Sequence, residues 1–538
     1  MRGFVAAWTS FVLFALSSSI LRAESRTFDV IVYSATPAGV CSAVAARREG
    51  ATVALIESSD LVGGVMSGGL SFSDSNQTAR ECLGGLFEEI HQRIEKKYVD
   101  RGVTLPYKVA VKDQAVWTYE PHVAEAVFHD LLSESGVVLY ARRDLRNVDK
   151  SSARLQRITT TTGDVLTARV FVDASYEGDL LAKAGVKYRI GREGRAEYDE
   201  SLAGKRFPKK VVPVSPFDAQ GRLLPLLTGK DAGPEDAGDE KVMIYSFRMC
   251  FSKDPVNRVP IEKPTNYDPA RFELYRRAFA EDPKMPFPID LYPIPGNKLD
   301  GNNGIGKQFS IGLNGASWEW PDASPERRRE IWNEHKTYTH EFLWFLAHDE
   351  GVPPAIRKQA TELGLAKNEF AKYGHWPPAL YVREGRRMSG EFVLTQSDIL
   401  KNIEKPDPIA VGSFPIDSHD CQRIPSKDGG GFVNEGTIFP VRLKERKIGQ
   451  PHHLPYRCLL PKSAECDNLL VPVALSATHV AYSSVRVEPT WITLGQSAGV
   501  AAALIVKDDV PAQRLEYEHL KKRLLAVKQI LELPPQPK

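Results

Sequence analysis

The clearest pattern of hydrophobic positions lies near the N-terminus, where two apolar runs frame a short polar turn and a helical stretch. Residues 28–33 are mainly apolar, as in a buried strand, and residues 53–56 form a second such run. Between them, Pro37 suits the first position of a helix, and residues 40–48 are rich in small side chains that allow close packing on a sheet. The pattern predicts a strand–helix–strand unit over residues 27–58, with Glu57 at the end of the second strand.

Similar patterns predict further strands and helices. We expect helices over residues 86–99 and 121–136, and a hairpin over residues 155–172 that leads into an apolar strand at 170–175. Near the C-terminus, residues 468–474 predict a buried strand, and a helix begins at Glu488 with Pro489 in its first turn. Alternation of strands and helices at both ends of the chain indicates an α/β fold.

The middle of the chain has a different pattern. From about residue 189 to residue 455, prolines and glycines are frequent, and short strand signals alternate with loops and with helical stretches at 325–348 and 355–365. We therefore predict a Rossmann-like α/β domain built from residues 26–188 and 456–510. Residues 189–455 would form an inserted α+β substrate or cap domain, and residues 511–538 a helical tail.

The first residues are typical of a targeting segment. Arg2 precedes an apolar run over residues 4–20, and the small residue Ala23 follows. This arrangement predicts a cleaved secretory signal peptide over residues 1–23, and hence export to the periplasm or the medium. An uncleaved anchor and a buried helix are the alternatives. No later segment reaches membrane length, so no span is expected after cleavage.

Composition and charge narrow the possible functions. The 538 residues carry a formal net charge of +2, which gives no basic footprint for nucleic acid. The six cysteines form no C-x-x-C pair, as a zinc knuckle or a close-spaced iron–sulfur motif would require. In an exported protein Cys458 and Cys466 could pair, whereas Cys41 suits a buried thiol. The neighbouring His452 and His453 face opposite sides of a strand, and no metal site is predicted.

The turn between the first strand and its helix is the first sign of chemistry. A dinucleotide-binding unit places a pyrophosphate at the helix N-terminus and the ribose hydroxyls on an acid that ends the second strand. Ser34 and Thr36 stand at the first two glycine positions of the usual motif, Gly39 keeps the third, and Glu57 has the spacing of the ribose acid. A plain buried βαβ unit without a ligand is the alternative.

Three further features point the same way. Gly63 and Gly64 follow the acid, an acid with two small residues occupies 173–175, and the helix that begins near Pro489 has small residues on one side. All are strand-end or helix-start elements, which is where open α/β sheets bind ligands. Their joint occurrence favours a nucleotide site.

With these motifs, the chain resembles the exported FAD-dependent oxidoreductases of the glutathione-reductase-like superfamily. Within it, the chain is most similar to the flavoproteins related to heterodisulfide reductase A, some of which are labelled xanthan lyase-like. The matching segments are residues 32–39, 63–70, 172–185, 380–390, 416–423 and 475–499. In this group a Thr-Pro-Ala-Gly turn commonly replaces the glycine motif, although Ser34 departs from the more usual glycine.

The resemblance implies a set of FAD-binding residues. Six residues of the turn would cradle the pyrophosphate: Ser34, Ala35, Thr36, Pro37, Ala38 and Gly39. Glu57 would bind the adenosine ribose, and Gly63, Gly64 and Gly69 would line the path towards the flavin. The nucleotide would be flanked by Asp173, Ala174, Ser175 and Asp179, and the isoalloxazine by Ser476 and the Pro489 helix.

The resemblance also bears on the form of the cofactor. Covalent attachment needs a His, Cys or Tyr against the ring. The glycine-rich loop over residues 61–69, called the glycine loop below, offers Met66 and Ser67 instead, so FAD is expected to be non-covalent. Heterodisulfide reductase A itself binds iron–sulfur clusters through a cysteine run. This chain lacks that run, so no cluster is implied.

The candidates for residues that act on the substrate are Arg386, His419, His479 and Arg486. The arginine-rich segment 381–388 could clamp an anionic group, or it could be a solvated charged strand. His419 lies between acids and could transfer a proton, or it could be a plain surface histidine. His479 lies on the flavin-facing segment, and Arg486 could instead form a structural pair with Glu488. The polar loop 298–303 could line the pocket or bind a cation.

These observations lead to one preferred function and one alternative. FAD would exchange a hydride with a small polar substrate, carbohydrate-derived or anionic, and an unknown electron acceptor would complete the cycle. The alternative is a non-catalytic, flavin-retaining protein that binds carbohydrate. A polysaccharide lyase has little support, since a lyase needs no dinucleotide.

Overall fold

The computed structural model describes residues 23–105, 117–401, 403–444 and 446–534. The predicted signal peptide lies outside this part of the chain except for Ala23, and it stays a prediction. Within the described residues, one helix is long and apolar enough to cross a membrane, Glu488–Asp508, and 94% of its most apolar window is buried inside the protein.

The strands are numbered in chain order: β1 (Ser25–Tyr33), β2 (Val53–Ile56), β3 (Val138–Tyr140), β4 (Leu145–Ser151), β5 (Arg154–Thr160), β6 (Val165–Asp173), β7 (Tyr188–Arg189), β8 (Ser246–Phe247), β9 (Met249–Ser252), β10 (Arg258–Pro260), β11 (Asp290–Ile294), β12 (Lys298–Asn302), β13 (Gly364–Ala366), β14 (Leu380–Tyr381), β15 (Arg387–Met388), β16 (Pro408–Gly412), β17 (Ile416–Ser418), β18 (Gln422–Pro425), β19 (Phe432–Glu435), β20 (Ile438–Val441), β21 (His452–Pro455) and β22 (Leu469–Leu470).

The α-helices are α1 (Pro37–Arg48), α2 (Gly64–Gly68), α3 (Leu86–Val99), α4 (Pro121–Ser135), α5 (Asp179–Lys183), α6 (Arg195–Tyr198), α7 (Glu273–Glu281), α8 (Pro325–His348), α9 (Pro354–Thr361), α10 (Gln396–Leu400), α11 (His479–Val485), α12 (Glu488–Asp508) and α13 (Tyr517–Ala526). Short 3₁₀ helices lie at Asp74–Gln77, Arg80–Cys82, Pro269–Phe272, Trp320–Asp322, Ala371–Tyr373, Tyr456–Leu459 and Ala512–Arg514.

The first sheet has a parallel core, as the apolar runs predict. Its strands follow the order β3-β2-β1-β6-β5-β4, and β22 pairs with the C-terminal half of β6. β1 is parallel to both β2 and β6, with Tyr33 in register with Ile56 and Asp173. The C-terminal ends of three strands therefore meet at one edge, which is where ligands bind in such sheets. This is the predicted Rossmann-like α/β arrangement, built from both ends of the chain.

Two buried helices cover this sheet. α1 packs along α12, whose residues are buried from Glu488 to Ile505. The hydroxyl of Ser42 donates to the carbonyl of Gly495 at 2.9 Å, so the two helices are in close contact. An apolar α12 is thus the core helix of the domain.

A second, antiparallel sheet forms in the middle of the chain. It has the order β10-β13-β9-β12-β11, and its apolar residues share a core with α7, α8 and α9. The predicted domain boundaries themselves stay predictions.

Several local predictions need correction. Only Leu469–Leu470 is a strand within 468–474, and residues 298–303 are mostly the strand β12 and not a loop. The helix expected over 355–365 ends at Thr361 and is followed by β13. All six cysteines are free and buried, so Cys458 and Cys466 do not form a disulfide.

Candidate functional site

The turn after β1 is held tightly against the edge of the sheet. Ser34 has a φ of 74°, in the left-handed region that favours glycine. Thr36 caps α1 by accepting the Gly39 N–H at 3.2 Å, and its hydroxyl donates to the Ala174 carbonyl at 2.7 Å. A Cβ on Gly39 would lie 1.9 Å from the Ser34 carbonyl oxygen. The turn therefore keeps the helix start and the packing glycine of a phosphate-binding turn.

Glu57 ends β2 beside this turn. One carboxylate oxygen accepts the Ala35 N–H at 2.8 Å and lies 3.3 Å from the Ser34 hydroxyl. The other accepts the N–H and the hydroxyl of Ser59 at 2.9 and 2.8 Å. The acid and the turn predicted to bind one nucleotide are therefore in direct contact.

The glycine loop lies next to the same turn. The Gly63 N–H donates to the Ala35 carbonyl at 2.7 Å, and the Val65 N–H donates to the Tyr176 hydroxyl at 3.0 Å. A Cβ on Gly64 would lie 2.3 Å from that hydroxyl. Sequence reasoning missed Tyr176 as a site residue, although it directly follows the predicted segment 173–175.

The donors and glycines at this edge fit a dinucleotide. A helix N-terminus offers backbone N–H groups and a positive dipole end to phosphate, and Glu57 offers acceptors to ribose. The hydroxyl of Ser67, in α2, is buried and has no hydrogen-bond partner among the described residues.

Asp173 and Asp179 have structural partners. Asp173 accepts the N–H and hydroxyl of Ser175 at 3.0 and 2.7 Å and the Leu181 N–H at 2.8 Å, and burial raises its pKa to about 6. Asp179 pairs with Arg328 at 2.6 Å and with Arg386 at 2.8 Å.

Arg386, predicted as catalytic, is thus held within an ion cluster. Besides Asp179, its guanidinium pairs with Asp322 at 2.7 Å and donates to the Glu177 carbonyl at 3.0 Å. The structure does not bring Arg386 together with His419.

A polar cavity of about 130 Å³ lies near the end of the glycine loop, where Gly69 packs on the backbone of Arg248. We call it the arginine cavity. The residues that line it include Asp74, Arg248, Asp290, Asn302, Asn303, Tyr381, Arg383, Asp417, His419, Arg442 and Arg486. Of these, only His419 and Arg486 were predicted as individual site residues.

His419 and Arg486 both approach Asp417. His419 Nε2 lies 3.7 Å from Asp417 Oδ1, and Arg486 Nη2 donates to the Asp417 carbonyl at 2.8 Å and to Oδ1 at 3.3 Å. Burial and the nearby Arg383 lower the pKa of His419 well below its ordinary value. Burial raises the pKa of Asp417 to about 6, against the opposing effect of Arg486. Arg486 therefore pairs with Asp417, and not with Glu488.

His479 lies behind this cavity. Its Nδ1 is 2.8 Å from a carboxylate oxygen of Glu384, and its Nε2 is 3.2 Å from the hydroxyl of Ser418. Asp417 and His419 line the cavity, whereas Ser418 between them contacts His479, as alternation along a strand requires. His419 and His479 are therefore linked through the segment at β17.

The glycine loop leads directly to the cavity. Gly69 has a φ of 152°, and a Cβ there would lie 2.4 Å from the Arg248 carbonyl oxygen. Arg248 donates to Asp300 at 2.9 Å, and Asp300 also accepts the N–H groups of Ser71 and Phe72 at 2.9 and 3.1 Å. Predicted cofactor residues and the cavity are therefore parts of one connected structure.

The start of α12 borders both regions. Glu488 accepts the Ser73 hydroxyl at 2.5 Å and the Asp74 N–H at 2.9 Å, and burial together with Asp74 raises its pKa to about 8. Pro489 occupies the first turn, and the ring of Trp491 lies 5.0 Å from that of Tyr176. The Ser476 hydroxyl accepts the Gly390 N–H at 3.0 Å, which is a contact within the protein.

The two ends of the segment 298–303 have different surroundings, which bear on the two roles predicted for it, lining the pocket and binding a cation. Asn302 and Asn303 line the cavity. Lys298 lies elsewhere, with its ammonium 2.5 Å from both Glu120 and Glu369, so lysine is the cation of this acidic cluster.

Comparisons with known proteins show the family to which the chain belongs. The family model described as FAD dependent oxidoreductase matches residues 29–524, so the chain belongs to that family. This membership confirms the expected enzyme class and the expected FAD cofactor. No curated protein among those compared matches the chain.

Solved flavoproteins match parts of the chain. Bacillithiol disulfide reductase from Staphylococcus aureus is 16% identical over 28% of this chain and 38% of its own, with a TM-score of 0.19. Thioredoxin reductase from T. acidophilum is 18% identical over 28% and 35%, with a TM-score of 0.17. A flavin-containing monooxygenase from Stenotrophomonas maltophilia is 14% identical over 32% and 43%, with a TM-score of 0.19. The chain covers less than half of each of these structures.

Proposed function

We propose that this protein transfers a hydride between FAD and a small polar substrate, carbohydrate-derived or anionic, that binds in the arginine cavity. The observation that carries the proposal is the continuity of the site. The glycine loop contacts the phosphate-binding turn through the Gly63 N–H, which donates to the Ala35 carbonyl. The loop ends at Gly69, which packs on the backbone of Arg248 in the cavity wall. FAD, when bound, supplies hydride transfer, and this chain supplies binding, orientation and proton transfer.

We assign FAD binding to the turn over residues 34–39, Glu57, the glycines of the loop, residues 173–175 and the start of α12. Tyr176 joins this set because it contacts the loop at Val65 and the ring of Trp491 in α12. The side chains of Asp173, Asp179 and Ser476 bind protein partners. Asp173 therefore offers its backbone to the cofactor, and Asp179 and Ser476 support the site. These residues would hold FAD by non-covalent contacts.

His419 is the proposed proton-transfer group. Its lowered pKa keeps the imidazole neutral at neutral pH, which is the form that accepts a proton. Asp417 lies close enough to stabilise the imidazolium that forms, and Arg486 holds Asp417 in place. The neighbouring arginines disfavour the imidazolium, so His419 can take a proton from a substrate hydroxyl, as the hydride leaves, only with the support of Asp417 and of the negative charge on a bound substrate.

The experiment is an anaerobic titration of the purified protein. We expect a yellow protein whose flavin absorbance is bleached by at least one member of a panel of sugars, uronic acids and polyols. A colourless protein that takes up no FAD would contradict the proposal. Flavin that binds but is bleached by no panel member, while carbohydrate still binds, would favour the flavin-retaining carbohydrate-binding protein.

We also propose that the protein is exported and belongs among the flavoproteins related to heterodisulfide reductase A. The sequence pattern of residues 1–23 supports export, and the matching segments support the subgroup. Mass spectrometry of the mature N-terminus, after fractionation of the producing cells, tests the first point. Retention of residues 1–23 on a cytoplasmic protein would refute export.

A further inference from the structure

Arg383 is a buried cation in the wall of the arginine cavity with an unusual set of partners. Its side chain is fully buried, and it donates to the Ile244 carbonyl at 2.6 Å, to the Ser246 hydroxyl at 3.0 Å and to the Asn303 amide oxygen. All three acceptors are neutral. Among the described residues, no carboxylate lies within ion-pair distance of its guanidinium, and its Nε–H has no acceptor.

Arg423 shows that neutral partners alone do not define a binding site. It is also buried, and its partners are the side chains of Asn434 and Tyr275 and backbone carbonyls. However, each of its three nitrogens donates a hydrogen bond. Both guanidinium groups lie over aromatic rings, that of Arg423 over Tyr275 and Phe309 at 5.3 and 5.6 Å and that of Arg383 over Tyr381 at 4.9 Å. Arg383 differs from Arg423 because it lines the cavity and its Nε–H has no acceptor, which is also true of Arg248 and Arg486. Unlike those two, it has no acidic partner among the described residues.

The charges around Arg383 do not neutralise it. Arg248 is paired with Asp300, Arg486 with Asp417, and Lys307 with Asp290. The remaining carboxylate of the lining, Asp74, accepts the Tyr381 hydroxyl at 3.3 Å, and it is matched by a further arginine of the lining, Arg442, that has no acidic partner among the described residues. Burial, with Arg486 and Arg248, lowers the pKa of the Arg383 guanidinium to about 9, so it remains charged at neutral pH. Burying an unpaired charge is costly, and an anion in the cavity would offset that cost.

We propose that the substrate carries a carboxylate and that Arg383 binds it inside the arginine cavity; this inference rests on the proposed function. A carboxylate can accept a charge-assisted hydrogen bond from a donor that Arg383 has left, its Nε–H or one Nη1–H. The cavity lining has four arginines against three aspartates, which favours one added negative charge. The cavity holds about 130 Å³, the space of about four water molecules at about 30 Å³ each. The group that enters is therefore small, such as a short hydroxy acid or the acid end of a larger molecule.

The test compares acids with their neutral amides in the FAD-loaded protein. The probes are glycolate and lactate, each matched with glycolamide and lactamide, and inorganic sulfate as a different anion. Binding is measured by the change in flavin absorbance and by thermal shift, without any requirement for turnover. We expect the acids to bind about tenfold or more tightly than the amides, which is about 1.4 kcal/mol.

Three variants separate binding from folding. Arg383→Gln should reduce the preference for acids to about onefold, and Arg383→Lys should keep part of it. Arg423→Gln removes an equally buried arginine outside the cavity wall, so it should lower the melting temperature but keep the preference. If Arg383→Gln keeps the preference, or if it behaves like Arg423→Gln, the inference is wrong.

The remaining outcomes are equally decisive. Amides that bind as well as acids, sulfate that binds where the acids do not, or failure of every acid to bind would each overturn the carboxylate assignment. Acids that bind through Arg383 but never bleach the flavin would leave this inference standing and count against hydride transfer. Bleaching by a neutral sugar that is unaffected in Arg383→Gln would support hydride transfer and count against the carboxylate assignment.

Discussion

The hydroxyl of Ser418 lies 3.2 Å from Nε2 of His479, on the side of β17 opposite to the arginine cavity. The next residue, His419, lines that cavity. Two histidines that are equivalent candidates in the sequence therefore have different surroundings. One faces the proposed substrate, and the other supports the segment that presents it.

The two histidines should respond differently to substitution. His419→Asn is expected to slow substrate-dependent flavin bleaching by about 10²–10⁴-fold, the usual range for loss of a general base. His479→Asn should lower the melting temperature and slow the reaction less. Because the pKa of His419 is lowered, the wild-type rate should persist as the pH falls below 6.5 and decline only near pH 6, where Asp417 takes up a proton. Abolition of bleaching by His479→Asn alone, at unchanged melting temperature, would reverse these roles.

Ser34→Gly tests the phosphate-binding turn. A serine with a φ of 74° carries a backbone cost of about 1–2 kcal/mol that glycine avoids. We expect FAD affinity, measured by titration of the apoprotein, to be kept or increased. Gly39→Ala is the matched control, because its Cβ would lie 1.9 Å from a carbonyl oxygen and should abolish binding. A large loss of affinity in Ser34→Gly would show that the serine hydroxyl has its own role.

Asp179→Asn tests the ion cluster around Arg386. The substitution leaves Arg328 and Arg386 without their shared carboxylate, and urea unfolding should show a loss of about 3 kcal/mol. Asp322→Asn is the control, since that side chain is 54% exposed and should cost less than about 1 kcal/mol. In Arg386→Gln, slower bleaching with an unchanged free energy of unfolding would support the catalytic role predicted from sequence.

Glu488 predicts the pH dependence of stability. Its pKa rises from an ordinary value of 4.5 to about 8 in the folded protein, so between these values the folded state holds a proton that the unfolded state has lost. Stability should therefore fall as the pH rises through this window, by up to about 1.4 kcal/mol per pH unit from this group. Glu488→Gln should flatten the profile of melting temperature against pH over that range. An identical profile in the variant would refute the assignment.

The sequence predicted correctly those helices and strands whose bounds depend on residues within the element itself. The helix at 86–99 and the strand at 53–56 have the expected bounds, because their periodicity and end signals lie within the segment. The strand at 468–474 is shorter than expected, since only Leu469 and Leu470 pair with β6. The length of this strand is set by its pairing with β6, which is far away in the chain, so it cannot be predicted from the apolar run alone.

The cofactor site was easier to predict than the substrate site for the same reason. Ser34, Gly39 and Glu57 belong to one continuous unit, and their spacing is visible in the sequence. Arg248 and Arg383 are far apart in the chain and meet only because β8 pairs with β14. A search for charged segments finds both Arg383 and Arg386, but only the fold shows that one is paired with acids and the other is not.

The contact between Ser42 and Gly495 also fixes when the nucleotide site can be completed. These residues are 453 positions apart, and a growing chain exposes its N-terminal unit long before α12 has been synthesised. The cofactor edge therefore stays open until the last part of the chain arrives. If the protein is exported, FAD must be available in the compartment where α12 finally packs against α1, so supply of the vitamin-derived cofactor there would limit how much active protein forms.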